Sequence, residues 1–124
     1  MQFAEALEHH LATITGRDAE AFLATVHDDV AVITPDGRLL AGREEVGAFH
    51  REWFADPDWS WKLEPLRCTE AGDTGVATYA VTYEDVDAGG RPYAMNYVLS
   101  LVFARAGGTW LLLHDQNTRS VRRP

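Results

Sequence analysis

Lysine and cysteine each occur once in this 124-residue chain, as Lys62 and Cys68. A lone cysteine excludes an intrachain disulfide and leaves no Cys–Cys spacing for zinc. Positive charge is scarce as well: 11 Lys plus Arg face 19 Asp plus Glu, giving a formal net charge of −8 and a pI near 4.9. Such a balance repels phosphate backbones and acidic lipids, which argues against nucleic acid or a membrane surface as partner. The one basic cluster, Arg119, Arg122 and Arg123, falls in residues 119–124, expected to be a frayed tail behind a single domain spanning 1–118. Long hydrophobic runs are missing too. No stretch approaches the roughly 20 apolar residues of a membrane span, and MQFAEALEHH lacks the basic and apolar regions of an export signal. A cytoplasmic location is the expectation.

What the chain does have is material for a core: 46% hydrophobic residues, with four Trp, four Tyr and five Phe. Phe3, Leu7, Leu11 and Ile14, with Ala6 and His10 beside them, follow the 3.6-residue period and predict a helix over about 2–15, ended by Gly16. Asp18 is placed to cap a short second helix carrying Phe22, Leu23 and Val26. A strand over 30–34 follows, then the turn Pro35-Asp36-Gly37 and a short return strand. Glu44 and Glu45 open a third helix from Gly42, with Val46, Phe49, His50, Trp53 and Phe54 on its buried stripe and Asp56-Pro57 as its stop. Beyond Pro57 the pattern reads as four long strands over 59–69, 75–86, 92–105 and 109–118, joined by turns short enough to force antiparallel neighbours. Helices first and a meander afterwards give an α+β domain. In the third of these strands Tyr97, Leu99, Leu101 and Phe103 alternate with Val98, Ser100 and Val102; in the fourth, Leu111 and Leu113 alternate with Trp110 and Leu112. One face meets the helices, and the other is too apolar for water, so a homodimer through the outer sheet face is expected.

Several motifs in order carry a resemblance across nearly the whole chain. They are Gly16-Arg17-Asp18, His27-Asp28-Asp29-Val30, Pro35-Asp36-Gly37, the run Leu40 to Val46, and the closing run Gly108 to Asn117. In this ordered set the chain resembles the nuclear transport factor 2 superfamily, whose fold is a cone of three helices packed on a strongly curved antiparallel sheet. The last strand looks like that of the calmodulin-kinase association domain and its small bacterial relatives. The segment Phe54 to Trp59 and the ending His114 to Thr118 are similar to small SnoaL-like proteins of antibiotic and enediyne gene clusters, some of which carry an oxidoreductase label. Ketosteroid isomerases share the cone, but their catalytic set is not matched here. Thr34 stands at the position of their base, with Asp36 two residues on; Leu99 falls at the enolate-holding sheet position, and His9 or His10 replaces the helix-one tyrosine.

The candidate chemistry lies in polar residues on apolar stripes. His10 sits within the Phe3, Leu7, Ile14 stripe and so points into the cone, either as a tunable base or as a core histidine satisfied by neighbours. His50 is placed similarly, as a ligand contact or a rim residue. The resemblance to the kinase association domain turns Leu113, Asp115 and Asn117 into the cone and His114 and Gln116 outward; that family's ligand-binding arginine is replaced by Asn117. A carboxyl in an apolar cavity has its ionised form disfavoured, which makes Asp115 a base poised for proton transfer or a hydrogen-bonded strand-end acid. Trp53, Trp61, Tyr79, Tyr83 and Tyr97 either shape a pocket for a planar ligand or fill a core. Cys68 reads as a buried inert thiol, and Asn96 as an outer-face residue.

The reading is a small-molecule pocket protein of secondary metabolism. It works by cofactor-independent acid–base chemistry, cyclase- or isomerase-like, on a polyketide-like or aromatic intermediate. His10 and Asp115 are its proton-transfer pair; His50, Trp53, Trp61, Tyr79, Tyr83, Tyr97 and Asn117 contact the ligand; no metal is required. The alternatives are a non-catalytic binding or dimerisation module and, third, an oxidoreductase-labelled biosynthetic protein.

Overall fold

A computed structural model describes residues 1–120. Its elements are α1 (Phe3–Thr15), α2 (Ala19–Leu23), β1 (Val26–Ile33), β2 (Leu39–Ala41), α3 (Gly42–Ala55), β3 (Ser60–Ala71), β4 (Thr74–Val86), β5 (Pro92–Ala106) and β6 (Thr109–Arg119). Six strands form one sheet in the order β2-β1-β6-β5-β4-β3. The expected cone is present, three helices against this sheet, with one departure from a purely antiparallel ladder: β1 runs parallel to β6. The meander from β3 to β6 brings the chain's end back beside its first strand, in the same direction.

Local chemistry accounts for the boundaries. Asp18 accepts a hydrogen bond from the Ala21 amide at 3.0 Å and caps α2. In the turn after β1, Thr34 Oγ1 donates to the Asp36 carboxylate, and Gly37 takes the positive φ (86°) that the tight return requires. His27, Asp28 and Asp29, expected to precede β1, lie within it.

The helical stripe of α1 is buried as its period demands: Phe3, Ala6, Leu7, His10, Thr13 and Ile14 all face the sheet, while Leu11 is only half-buried. Phe3 lies against β4 where Gly75 leaves room; a Cβ there would stand 2.5 Å from the ring. On β4 the bulkier set Ala77, Tyr79, Val81 and Tyr83 faces inward, and on β5 Tyr97, Leu99, Leu101 and Phe103 do so. Asn96 points outward, where Thr82 bonds to it.

Three further expectations need correction. Cys68 is exposed, because the far half of β3 is an edge that no helix covers. Arg119 is the last residue of β6, paired with Tyr97, so it belongs to the sheet; Arg122 and Arg123 lie outside the described residues. Leu113 does not share the face of Asp115. Phe103 pairs with Leu112 and Val102 with His114, so Leu113 is the extra residue of a β-bulge, and the strand changes phase across it. Trp110 and Leu112 face the core before the bulge, and Asp115 does so after it. Among the described residues no helix is long and apolar enough to cross a membrane.

Candidate functional site

Between the helices and the concave face of the sheet lies a cavity of about 140 Å³. Its walls come from α1, α3, β1 with the turn after it, and strands β3 to β6. Ile14 comes from α1, Thr34 and Pro35 from the turn after β1, and Phe49, His50 and Trp53 from α3. The sheet adds Trp61, Tyr83, Tyr97, Leu99, Asp115 and Asn117, with Tyr93 and Met95 from the start of β5. Tyr93, 42% exposed, marks the outer rim.

Asp115 is the acid of this cavity. It is 6% exposed, and the Asn117 amide, 2.9 Å from Oδ1, is its hydrogen-bond partner. The same amide nitrogen donates to the Ile33 carbonyl at 2.8 Å, so Asn117 ties β6 to β1 while steadying the acid. Burial pushes the carboxyl from its ordinary range up to about 7, against the opposing pull of the Asn117 bond. Near neutral pH it therefore exists in both protonation states. Tyr97, on the neighbouring strand, is held in its neutral phenol form by burial and by the nearby Asp115 charge.

At the other end, the Trp53 indole donates to the Tyr83 hydroxyl at 3.0 Å, and Tyr83 donates to the buried Asp85 at 2.9 Å. Trp59 backs this wall: it stacks on Trp53 at 4.5 Å, donates to the Trp53 carbonyl, and carries the Arg17 guanidinium over its own face at 3.9 Å.

His50 is 3% exposed; its Nδ1 lies 2.7 Å from the Val46 carbonyl. A carbonyl only accepts, so Nδ1 carries the hydrogen. Burial holds the ring's pKa down at about 4, although that carbonyl favours the charged form. The neutral ring consequently presents Nε2 as a bare acceptor.

Two predicted site residues lie off the wall. His10 is completely buried in the layer behind, with Nδ1 2.7 Å from Thr25 Oγ1 and its Nε2 sealed without a partner. Burial, and secondarily the neighbouring His50 and His9, depresses it to about 3. Phe22 separates it from the cavity: that ring stacks on His50 at 4.0 Å and meets His10 at 5.4 Å. The structure thus does not bring His10 and Asp115 to one site. Tyr79 packs in the core beyond the cavity's reach. The other predicted residues, His50, Trp53, Trp61, Tyr83, Tyr97, Asp115 and Asn117, do share the wall.

Thr34, Phe49, Tyr93 and Met95 join them without having been singled out as ligand contacts. Thr34 was legible as the residue standing at the position of the ketosteroid-isomerase base; Met95 and Tyr93 precede Asn96 on a stretch with no distinctive pattern. Among the described residues no three His, Cys, Asp or Glu side chains converge as metal ligands.

A curved-sheet cone with a cavity rich in aromatic side chains and one buried acid defines a class of small pocket-bearing α+β domains. The chain belongs to the SnoaL-like domain family, whose profile matches residues 4–118. Among solved structures it is similar to an NTF2-like family protein of Streptomyces avermitilis that carries a provisional dehydratase label (TM-score 0.83, 18% identity, 98% of this chain and 96% of that one). It is likewise similar to a ketosteroid isomerase-like protein of Erwinia carotovora atroseptica (0.81, 16%, 96% and 94%) and to the CaMKII hub of S. rosetta (0.73, 23%, 94% and 93%). At such identities the likeness is one of fold. No curated protein matches the sequence.

Proposed function

We propose that the protein carries out cofactor-independent proton transfer on a small, largely apolar ring compound, an isomerase- or cyclase-like reaction on an aromatic or polyketide-like intermediate, with Asp115 as the proton carrier. The observation that carries this reading is a carboxyl titrating near 7 on the wall of an apolar cavity, since a base works best when its pKa lies near the operating pH. The volume, about 140 Å³, suits one ring; an engineered apolar cavity of about 150 Å³ holds benzene.

In such a step the Asp115 carboxylate removes a proton from the carbon beside a carbonyl. The Tyr97 hydroxyl donates a hydrogen bond to the enolate oxygen, and the Asp115 carboxyl returns the proton to a second carbon. Asn117 is a positioning residue that keeps Oδ1 occupied and leaves Oδ2 for the substrate. The experiment is conversion of a hydroxyl-bearing β,γ-unsaturated cyclohexenone to its conjugated isomer, followed by enone absorbance. Turnover above background that is lost in Asp115→Asn supports the reading; equal rates in both proteins sink it.

A second reading, a binding or dimerisation module, is supported by the outer sheet face. Val98, Val102, Leu111 and Leu113 are half-buried there, and Leu66 is 54% exposed. We place a homodimer contact on this face; sedimentation at micromolar concentration giving a mass near 13.8 kDa would refute it.

A further inference from the structure

Most hydrogens on the cavity's buried polar side chains are already committed within the protein. Five of its lining residues with polar side chains are buried: Thr34, His50, Tyr83, Tyr97 and Asp115. Thr34 Oγ1 gives its hydrogen to Asp36 and already accepts from the Arg38 amide. Tyr83 gives its hydrogen to Asp85 and accepts from Trp53, which leaves at most a lone pair. His50 spends its hydrogen on the Val46 carbonyl. Its Nε2 has no protein partner, yet among the described residues only His10 Nε2 and Arg17 Nη1 are both sealed and unpartnered. His50 Nε2 therefore reaches open space, and the space beside that residue is the cavity. Half-buried Asn117 commits its amide nitrogen to Ile33 and Asp115, keeping Oδ1 as an acceptor. Of the five buried residues, Tyr97 alone brings a hydrogen at every protonation state of Asp115. Trp61 and Tyr93, toward the rim, can be served by water.

The lining contains no Lys or Arg. A carboxylate, phosphate or sulfate would be desolvated beside Asp115 with no counter-charge, at a cost that an apolar wall does not return. Bare acceptors impose the opposite demand: a ligand without hydrogens to give leaves them unpaired.

From this inventory we infer that the ligand is a neutral single-ring compound bearing two hydrogen-bond donors, hydroxyl or N–H, one directed at His50 Nε2 and the other at the Asp115–Asn117 end. The inference rests on the proposed use of the same cavity and narrows it to donor-bearing substrates. His50 becomes a specificity residue: it selects a hydroxyl and leaves the proton transfer to Asp115.

Calorimetric titration of the intact protein at pH 8 with resorcinol, resorcinol dimethyl ether, benzoate and benzylammonium tests it. Resorcinol is expected to bind at least about tenfold more tightly than its dimethyl ether, because a site built around hydrogen bonds rejects the analogue that lacks them. Benzoate should bind more weakly than either. His50→Leu should erase most of the preference for resorcinol while leaving the ether's affinity within about threefold; the ether serves as the check that the variant is folded. Equal or tighter binding of the ether, tighter binding of benzoate or benzylammonium, or no resorcinol binding at millimolar concentration would overturn the inference. Selective resorcinol binding in a protein that never isomerises the cyclohexenone would instead refute the proton-transfer reading alone. Turnover without donor preference would do the reverse.

Discussion

Two histidines stand on either side of Phe22, and the molecule treats them in opposite ways. Both are buried, both lie on the inward stripe of a helix, and both are held neutral by burial. His10 is walled in by Phe22 and Phe103, with its outer nitrogen sealed. His50 has the same Phe22 on one face, but beyond it lies the cavity. Helical period predicts that a residue points inward; it does not say whether the interior at that depth is filled. What separates the sealed histidine from the cavity-facing one here is the packing of one phenylalanine.

The sharpest way to break this contrast is to pit His10 against Asp115. If the cavity is where chemistry occurs, Asp115→Asn lowers isomerisation of the cyclohexenone by at least about a hundredfold. In contrast, His10→Ala leaves the rate of the folded protein within about threefold. The cost of His10→Ala should appear in stability instead, about 3 kcal/mol in urea unfolding, from the void left against Phe22 and Phe103. A His10→Ala protein that is stable but inactive would reverse the assignment of the two compartments.

The pH dependence of stability offers a third test, with a smaller effect. His10 and His50 titrate near 6.5 when unfolded but near 3 and 4 when folded, so the unfolded chain binds more protons over that window and acidification from pH 6.5 destabilises the fold. Asp115 acts with the opposite sign. Its folded value near 7 exceeds the unfolded 3.8, so its contribution is fully present below the unfolded value and is lost as pH rises through the folded one. Two histidines against one carboxyl leave a net loss on acidification. Asp115→Asn removes the opposing share: the variant should be more stable than wild type at pH 8, by about 2 kcal/mol, and should fall more steeply between pH 6.5 and 4 in urea midpoints.

The smallest effect concerns the backing of the open compartment. Arg17→Met removes the guanidinium over Trp59 and its bond to the Trp59 carbonyl. It should cost about 1 kcal/mol of stability, measurable by thermal unfolding, with resorcinol affinity unchanged within about twofold.

Much of this architecture was legible beforehand, for identifiable reasons. The stripes of α1 and α3 and the turn Pro35-Asp36-Gly37 are local signals, and local signals locate elements. Cys68 was misplaced because alternation on an edge strand does not reveal whether a helix covers it. The parallel pairing of β1 with β6 joins segments some eighty residues apart, which no local pattern records. In the site, apolar stripes pointed to His50 and the aromatics, and the resemblance to the kinase association domain pointed to Asp115. The exclusion of His10 depended on where Phe22 packs, and the commitment of Tyr83 to Asp85 on a hydrogen bond within one strand whose direction only packing sets.

The bulge at Leu113 bears on how this chain is matched to its relatives. A plain alternating strand that starts with Trp110 inward would turn residue 115 outward; the one supernumerary residue restores Asp115 to the inside. Lined up without a gap against a homologue whose final strand is regular, Asp115 falls opposite a solvent-side position, and the acid looks like surface variation. Opening a one-residue gap at Leu113 sets it opposite an interior residue, where its absence or presence becomes a marker for which homologues share the chemistry.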